Sequence, residues 1–333
     1  MLTPRFCFIF LVISLLTIVG VGQEDKKTFM EKTVPIANLY SNFHTQLNGN
    51  YLGFDVERAY LGFKTRLNAN YSIIMKLDIG SPDDVSAYSK IKRYAYFKNA
   101  ALIFTRGRFT FHAGLTDTYQ FKVQEKFWTR RYIYRSFQDE YRFTPSADIG
   151  VGLKYDHKDW LTADISFMNG EGYSQPQFDN SFRTGLGVTL KPIKVLLFRF
   201  YYDFMEKNAV LQSTIASFVG FQTKNFNLAT EFNYRINDEY EKNQDRWGFS
   251  IYSCYRFIKK WEVFTRYDYL TSKTLTGENY GWNYSKDGSA LLAGLQYQPE
   301  TFLKIALSYR DWVPYPPNLD NSRFIFVNLE FKI

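Results

Sequence analysis

The charged and aromatic side chains that could form a binding site are concentrated in one long segment, residues 116–145. Six basic residues stand there against four acidic ones, among nine aromatic rings. Rings in such numbers need burial, so we expect the segment to fold into the interior of the protein and to line a constriction with its charged side chains. The alternative is an outer lid or a contact between subunits. The basic residues are Lys122, Lys126, Arg130, Arg131, Arg135 and Arg142.

Signals for catalysis or metal binding are weak. The three histidines, His44, His112 and His157, are far apart in sequence and lack metal-ligand spacing. Two cysteines, Cys7 and Cys254, exclude a disulfide scaffold and a Cys-rich metal site. The glycine pairs of the chain lie inside strand patterns with no following helix, which excludes a nucleotide loop. The sequence therefore predicts no enzyme, metal or cofactor, and its dispersed basic residues predict no nucleic-acid partner.

The elements that position the charged side chains are strands. From about residue 36 onward, apolar and polar residues alternate with a period of two, as in 246–257 and 226–235. The alternating segments are about 9–12 residues long, the length of a tilted strand that crosses a bilayer, whereas strands of soluble proteins are mostly about 5–6 residues long. Mean hydropathy is −0.32 with no second long apolar run, which excludes a helical membrane protein.

Short and long connections alternate between these segments. The short ones are 67–70, 105–107, 157–159, 191–194, 223–225, 258–260 and 298–301, and the long ones are 80–91, 116–145, 170–181, 205–212, 236–245, 271–288 and 313–321. This asymmetry is typical of outer-membrane barrels. We predict an all-β fold, a transmembrane antiparallel β-barrel of about 16 strands with short periplasmic turns and longer extracellular loops.

The two ends of the chain agree with export to an outer membrane. Arg5, the apolar run 6–21 and the small-residue sequence 20–22 predict a signal peptide over 1–22; an N-terminal membrane anchor is the alternative. We expect a short periplasmic leader over 23–35 and a barrel domain over 36–333. The last segment, 323–333, is an amphipathic strand that barrel-assembly machinery would recognise. The predicted location is the outer membrane of a Gram-negative-type bacterium.

If the apolar parity of each strand faces lipid, the other parity lines the lumen. Fourteen basic residues then face inward against eight acidic ones, an excess that would attract anions. The alternative is that these charges form ion pairs that brace the wall. Lys98 breaks the parity of its segment, which alternation cannot orient. The predicted pore-lining and constriction residues are Arg58, Arg108, Arg130, Arg131, Arg135, Arg183, Lys122 and Lys126.

One stretch resembles a known family. Phe54-Asp-Val-Glu-Arg-Ala-Tyr-Leu-Gly-Phe-Lys64, the sequence Lys-Leu-Asp-Ile-Gly ending at Gly80, and later motifs up to Gly170 are similar to the opening strands of the phosphate-selective porins O and P. The resemblance covers most of 54–170. It implies a sixteen-stranded, trimeric, anion-preferring channel with a ladder of lumen arginines and a lysine cluster at the constriction.

These observations together predict a passive, weakly anion-preferring porin for small hydrophilic solutes. The resemblance adds a phosphate-type preference. Its expected partners are small anions, outer-membrane lipid and two further copies of the chain in a homotrimer. The alternative is a structural or partner-binding barrel, such as a secretion or adhesion component, without an open channel. An outer-membrane hydrolase is a third hypothesis, for which only His112 inside a wall strand offers a candidate.

Overall fold

A computed structural model describes residues 30–80 and 95–333, and in these ranges the alternating segments form a closed antiparallel barrel of sixteen strands. Consecutive strands are neighbours throughout, and β1 pairs with β16 to close the sheet. The predicted fold class is confirmed. The strands are β1 (Thr33–Gln46), β2 (Leu52–Arg66), β3 (Tyr71–Ile79), β4 (Ala95–Arg106), β5 (Phe109–Asp117), β6 (Ala147–His157), β7 (Leu161–Met168), β8 (Arg183–Ile193), β9 (Leu196–Lys207), β10 (Val210–Gln222), β11 (Phe226–Ile236), β12 (Arg246–Ile258), β13 (Trp261–Ser272), β14 (Gly288–Glu300), β15 (Leu303–Pro314) and β16 (Ser322–Lys332).

The predicted signal peptide, leader residues 23–29 and most of the connection after β3 lie outside the described residues. A short 3₁₀ turn, Met30–Lys32, precedes β1. Among the described residues, no helix is long and apolar enough to cross a membrane.

Alternation decides which side chains face inward. In the β11–β12 pair, Glu231 lies opposite Ser250 and both are buried, whereas their chain neighbours Phe232 and Ile251 are 42% and 44% exposed. The same parity holds around the barrel, so the outer wall is a band of exposed Leu, Ile, Val and Phe side chains. The inward-facing charges expected from the sequence lie on the inward parity of their strands, except Arg108, which belongs to the short connection between β4 and β5.

The parity break at Lys98 is a β-bulge. The pairing of β3 with β4 shifts register between Lys76 and Leu77, so that Lys98 and Asn99 are both 2% exposed. One extra residue in a strand turns two consecutive side chains to the same side. The bulge thereby brings the Lys98 ammonium inside the barrel.

The two rims of the barrel differ. At one rim, the short-turn rim, β1 begins and β16 ends. This rim also carries seven connections of two to four residues: 67–70, 107–108, 158–160, 194–195, 223–225, 259–260 and 301–302. The opposite rim, the long-loop rim, carries the longer connections. The predicted long loop at 205–212 is wrong, because β9 and β10 continue to a two-residue turn at Asn208 and Ala209. Both residues have positive φ, 51° and 60°, as a tight hairpin turn requires.

The connection 118–146 lies inside the barrel and contains two short helices, α1 (Lys122–Trp128) and α2 (Phe137–Glu140). Its rings pack with inward residues of the wall in two apolar clusters. The larger includes Trp128, Tyr252 and Phe264, and the smaller contains Phe137, Phe143 and Leu270. Small inward residues make room for it: a Cβ on Gly220 would lie 2.6 Å from the Phe127 ring. We call this segment the lumen loop.

Candidate functional site

The lumen loop is anchored to one half of the wall. The Trp128 ring packs edge-on against Tyr252, with ring centroids 4.9 Å apart, and its indole N–H donates to the Tyr134 carbonyl at 2.8 Å. Trp128 is 1% exposed. Farther along, Arg310 Nη2 donates to the Ile133 carbonyl at 2.6 Å. These contacts hold the middle of the loop against strands β12 to β15.

An arginine on β9 holds the start of the loop. Arg199 binds Asp164 through two hydrogen bonds of 2.7 and 3.0 Å and donates to the carbonyls of Tyr119 and Gln120 at 2.9 and 3.3 Å. The pair fits because Gly187 lies between its members, where a Cβ would collide with both side chains. Two-point guanidinium–carboxylate binding fixes orientation as well as distance, so the loop leaves β5 along a defined path.

The opposite face of the loop carries a charged network that reaches the other half of the wall. Arg131 Nη1 donates to Glu125 at 2.9 Å and also binds Asp139, while its Nη2 donates to the Tyr60 hydroxyl of β2 at 3.4 Å. The Tyr60 ring in turn packs edge-on with Tyr40 of β1 at 6.0 Å. The loop therefore spans the lumen at this level, and Arg131 narrows the bore there.

Three lysines surround one carboxylate beside this network. Lys122 of α1 lies 3.4 Å from Asp117 and 3.0 Å from Glu125. Lys76 and Lys98 also interact electrostatically with Asp117. They come from β3, β4 and the lumen loop, which only the folded barrel brings together. We call Lys76, Lys98 and Lys122 the lysine cluster.

Protonation states in the loop network are fixed at neutral pH. Burial opposes charging of Asp139, yet Arg131 and Arg135 hold its pKa well below the ordinary value. Burial likewise opposes charging of Glu125, and Lys122 and Arg131 lower its pKa nevertheless. Burial lowers the pKa of Lys122, but the Asp117 and Glu125 carboxylates outweigh it and raise that pKa above its usual range. All of these groups are charged at physiological pH.

A basic cavity of about 270 Å³ lies on the long-loop side of Arg131. Five arginines and two glutamates line it, together with tyrosines from β1 and the loop. Arg135 makes no side-chain hydrogen bond or ion pair with any described residue, whereas Arg58 pairs with Asp78 at 3.1 Å. The charged lining residues are Arg58, Arg131, Arg135, Arg142, Arg310, Glu57 and Glu140. We call this the arginine cavity.

A second cavity, of about 260 Å³, lies on the short-turn side of the loop. Its lining includes Cys254, which the registers place on the inward face, as parity indicated, and which is 5% exposed. Side-chain amides such as Gln222 and Asn227 make up much of the rest. The two cavities and the constriction between them divide the bore into three levels.

The structure brings only some of the predicted site residues together. Arg131 and Lys122 lie at the constriction, Arg58 and Arg135 line the arginine cavity, and Lys126 is exposed on α1.

Three predicted residues lie elsewhere. Arg108 is exposed at the short-turn rim, where it donates to His157 Nδ1 at 3.0 Å. Arg130 is 1% exposed and binds Glu262, and Arg183 is 9% exposed and binds Thr144 of the loop. Arg130 and Arg183 hold the loop in place. This role follows from the path of the loop and could not be inferred from the residue type alone.

Many of the inward charges form ion pairs within the wall. Arg266 binds Asp268 at 2.7 Å and Lys304 binds Glu330 at 2.6 Å, and Arg199 and Arg58 are paired as described above. Lys64 and Lys76 pair with no carboxylate of the described chain. The bracing alternative therefore applies to part of the basic excess. The uncompensated positive charge belongs to these two lysines and to arginines such as Arg135 and Arg310, which form no ion pair with a described residue.

Comparisons with known proteins agree with this architecture. No protein-family model matches the sequence, and no curated protein sequence matches it. Similar solved structures include Salmonella typhi OmpF in complex with daunomycin (TM-score 0.68, 13% identity, 90% of this chain and 97% of that one) and Pseudomonas putida OprB at high pH (0.68, 7%, 92% and 95%). Another is the outer membrane channel DcaP of Acinetobacter baumannii (0.63, 8%, 90% and 97%). The chain shares the barrel fold of these outer-membrane proteins over nearly its whole length.

Proposed function

We propose that this protein is a porin, a passive channel for small hydrophilic solutes in the outer membrane of a Gram-negative-type bacterium. The observation that carries the proposal is the charged constriction: a closed barrel with an apolar outer wall contains a loop whose charged face borders the bore. An apolar band outside and charged groups inside are what a channel in lipid requires. The similar barrels in the outer membranes of other bacteria support the same location.

The charges of the bore favour anions. At the constriction, Lys76, Lys122 and Arg131 face the carboxylates of Asp117, Glu125 and Asp139. The arginine cavity beyond it adds four further arginines against two glutamates. Fixed charge along a confined aqueous path raises the local concentration of the opposite ion. The channel is therefore weakly anion-preferring, because ion pairs cancel much of the basic excess.

The lysine cluster also supports a phosphate-type preference, the finer property implied by the resemblance. Ammonium groups bind phosphate as point charges, and Lys76 and Lys122, which are only partly buried, present two of them here. Inorganic phosphate should then reduce chloride conductance in a saturable manner, and Lys76→Gln should weaken that block. A phosphate effect no larger than that of sulfate would remove the phosphate preference but leave the channel. The homotrimer likewise stays a proposal, which mass measurement in mild detergent tests.

One observation favours the alternative of a partner-binding barrel without an open channel. The loop touches both halves of the wall, and Arg131 bonded to Tyr60 crosses the remaining space. Purified protein in planar bilayers distinguishes the two functions. An open porin gives stable conductance steps, and its proteoliposomes swell in small sugars; a closed barrel gives neither.

A further inference from the structure

The two rims of the barrel carry opposite charge. The short-turn connections contain six basic residues and one acidic residue: Arg108, Lys158, Lys194, Lys224, Lys259 and Lys260 against Asp159. The described connections of the long-loop rim, apart from the lumen loop, contain nine acidic and three basic residues. These are Glu171, Asp179, Asp238, Glu239, Glu241, Asp245, Glu278, Asp287 and Asp320 against Lys242, Lys273 and Lys286.

The basic residues form a partial ring and not a single patch, because only the connections 67–70 and 301–302 among the short turns carry none. They occupy five of the seven short turns, which follow one another around the barrel from β4 to β13. All six are exposed. Lys158, Lys194, Lys224 and Lys259 make no ion pair with any described residue. A single folded partner would contact one sector of such a ring, whereas a surrounding layer of small anionic groups contacts all of it.

Exposed aromatic side chains mark the same level of the outer wall. Phe109 is 51% exposed, Trp160 46%, Phe257 45% and Phe302 45%, each in or next to a short turn. The Trp261 and Tyr297 rings stack there with centroids 4.6 Å apart. Aromatic belts lie at the boundary between hydrocarbon and headgroups, so the lysines just beyond them are level with the headgroups.

From this juxtaposition we propose that the short-turn rim binds the anionic headgroups of phospholipids in the leaflet around it. The inference rests on the membrane location in the proposed function and adds a specific lipid contact to it. Each lysine close to an anionic membrane surface is attracted to it electrostatically. On the long-loop rim, Lys207 pairs with Glu171 and Asp179, and Asp238 pairs with Arg235 and Arg246, so the described part of that rim has no comparable excess of free basic groups. The short-turn rim therefore also favours one orientation of the barrel over the reverse.

The test measures lipid selectivity of the whole protein in vesicles that contain spin-labelled phosphatidylglycerol or phosphatidylcholine. The wild type should prefer phosphatidylglycerol, and the triple variant Lys194→Gln, Lys224→Gln, Lys259→Gln should lose at least about twofold of that preference. High salt should reduce the wild-type preference. The matched control, Lys242→Gln, Lys273→Gln, Lys286→Gln, removes three positive charges from the other rim and should keep the preference.

Equal association of the two lipids with the wild type would overturn the proposal and leave an acidic protein as the partner of the ring. An equal loss in both triple variants would also overturn it, since net charge alone would then explain the preference. Conductance of the same preparations separates this proposal from the channel. Silent barrels that still select phosphatidylglycerol would refute the channel and keep the lipid contact.

Discussion

The double substitution Lys76→Gln, Lys122→Gln should reverse or abolish the anion preference. Lys122 neutralises Asp117 and Glu125, at 3.4 and 3.0 Å, so its removal leaves both carboxylates facing the bore with less compensation. Lys76 interacts with the same Asp117 from the wall. The local charge thus falls by two units where the bore is narrowest.

The size of the effect follows from Coulomb's law. An ion about 6 Å from a unit charge in water interacts with it by about 0.7 kcal/mol, which screening at physiological salt reduces to about 0.3 kcal/mol. Anions and cations respond in opposite senses, so each lost ammonium changes the chloride-to-potassium permeability ratio by about threefold and two change it by about tenfold. In 1 M salt the combined change should shrink to about twofold.

The assay is the reversal potential of reconstituted channels in a potassium chloride gradient. The control, Lys194→Gln with Lys259→Gln, removes two exposed rim lysines that are outside the constriction and should leave the potential unchanged. If the Lys76 and Lys122 variant keeps the wild-type permeability ratio while the barrel stays folded, ions do not pass the lysine cluster. The assignment of the constriction would then be refuted.

Three further outcomes follow from the same geometry. Gly220→Leu should push Phe127 and the lumen loop off the wall and raise single-channel conductance. The control Gly53→Ala should leave conductance unchanged, because its new Cβ would lie 4.0 Å from its nearest neighbour. Equal conductance in both variants would show that the loop is not packed as described. Asp139 and Glu125 have lowered pKa values, so the stability that they contribute is present above their ordinary pKa of about 4 and is lost below it. Conductance should therefore change in acid below about pH 4 in the wild type and change less in Asp139→Asn; an equal acid-induced change in both proteins would contradict this. Cys254 should react with a small charged thiol reagent added from the short-turn side, and labelling by membrane-soluble reagents alone would place it on the outer wall.

The barrel could be predicted from the sequence because its signal is local. Period-two alternation fixes both the strand and the face that each residue occupies, and sixteen segments with even closure follow from counting. Two features escaped this reasoning. In the turn at Asn208 and Ala209, asparagine adopts positive φ readily, but alanine stands where glycine usually follows it, so the sequence signature of the tight turn is incomplete. The bulge at Lys98 was visible as a broken parity, but its direction depends on pairing with β3.

The constriction was less predictable because it depends on contacts between distant segments. The lumen loop could be expected to bury its rings, but alternation does not say which wall receives them. A usable signal was present: inward positions such as Gly220, Ala229 and Ala290 are small where the loop packs. Arg130 and Arg131 are neighbours in sequence, yet one is buried against Glu262 and the other crosses the bore. The sequence offers no means to distinguish the two arginines, and only the path of the loop shows that their environments differ.

The sign of the wild-type reversal potential tests the central claim most directly. Purified protein in a planar bilayer with a tenfold gradient of potassium chloride should give stable open channels whose reversal potential lies on the chloride side of zero. That result requires both an open bore and a net positive constriction. A silent barrel, or a reversal potential on the potassium side, would contradict the account.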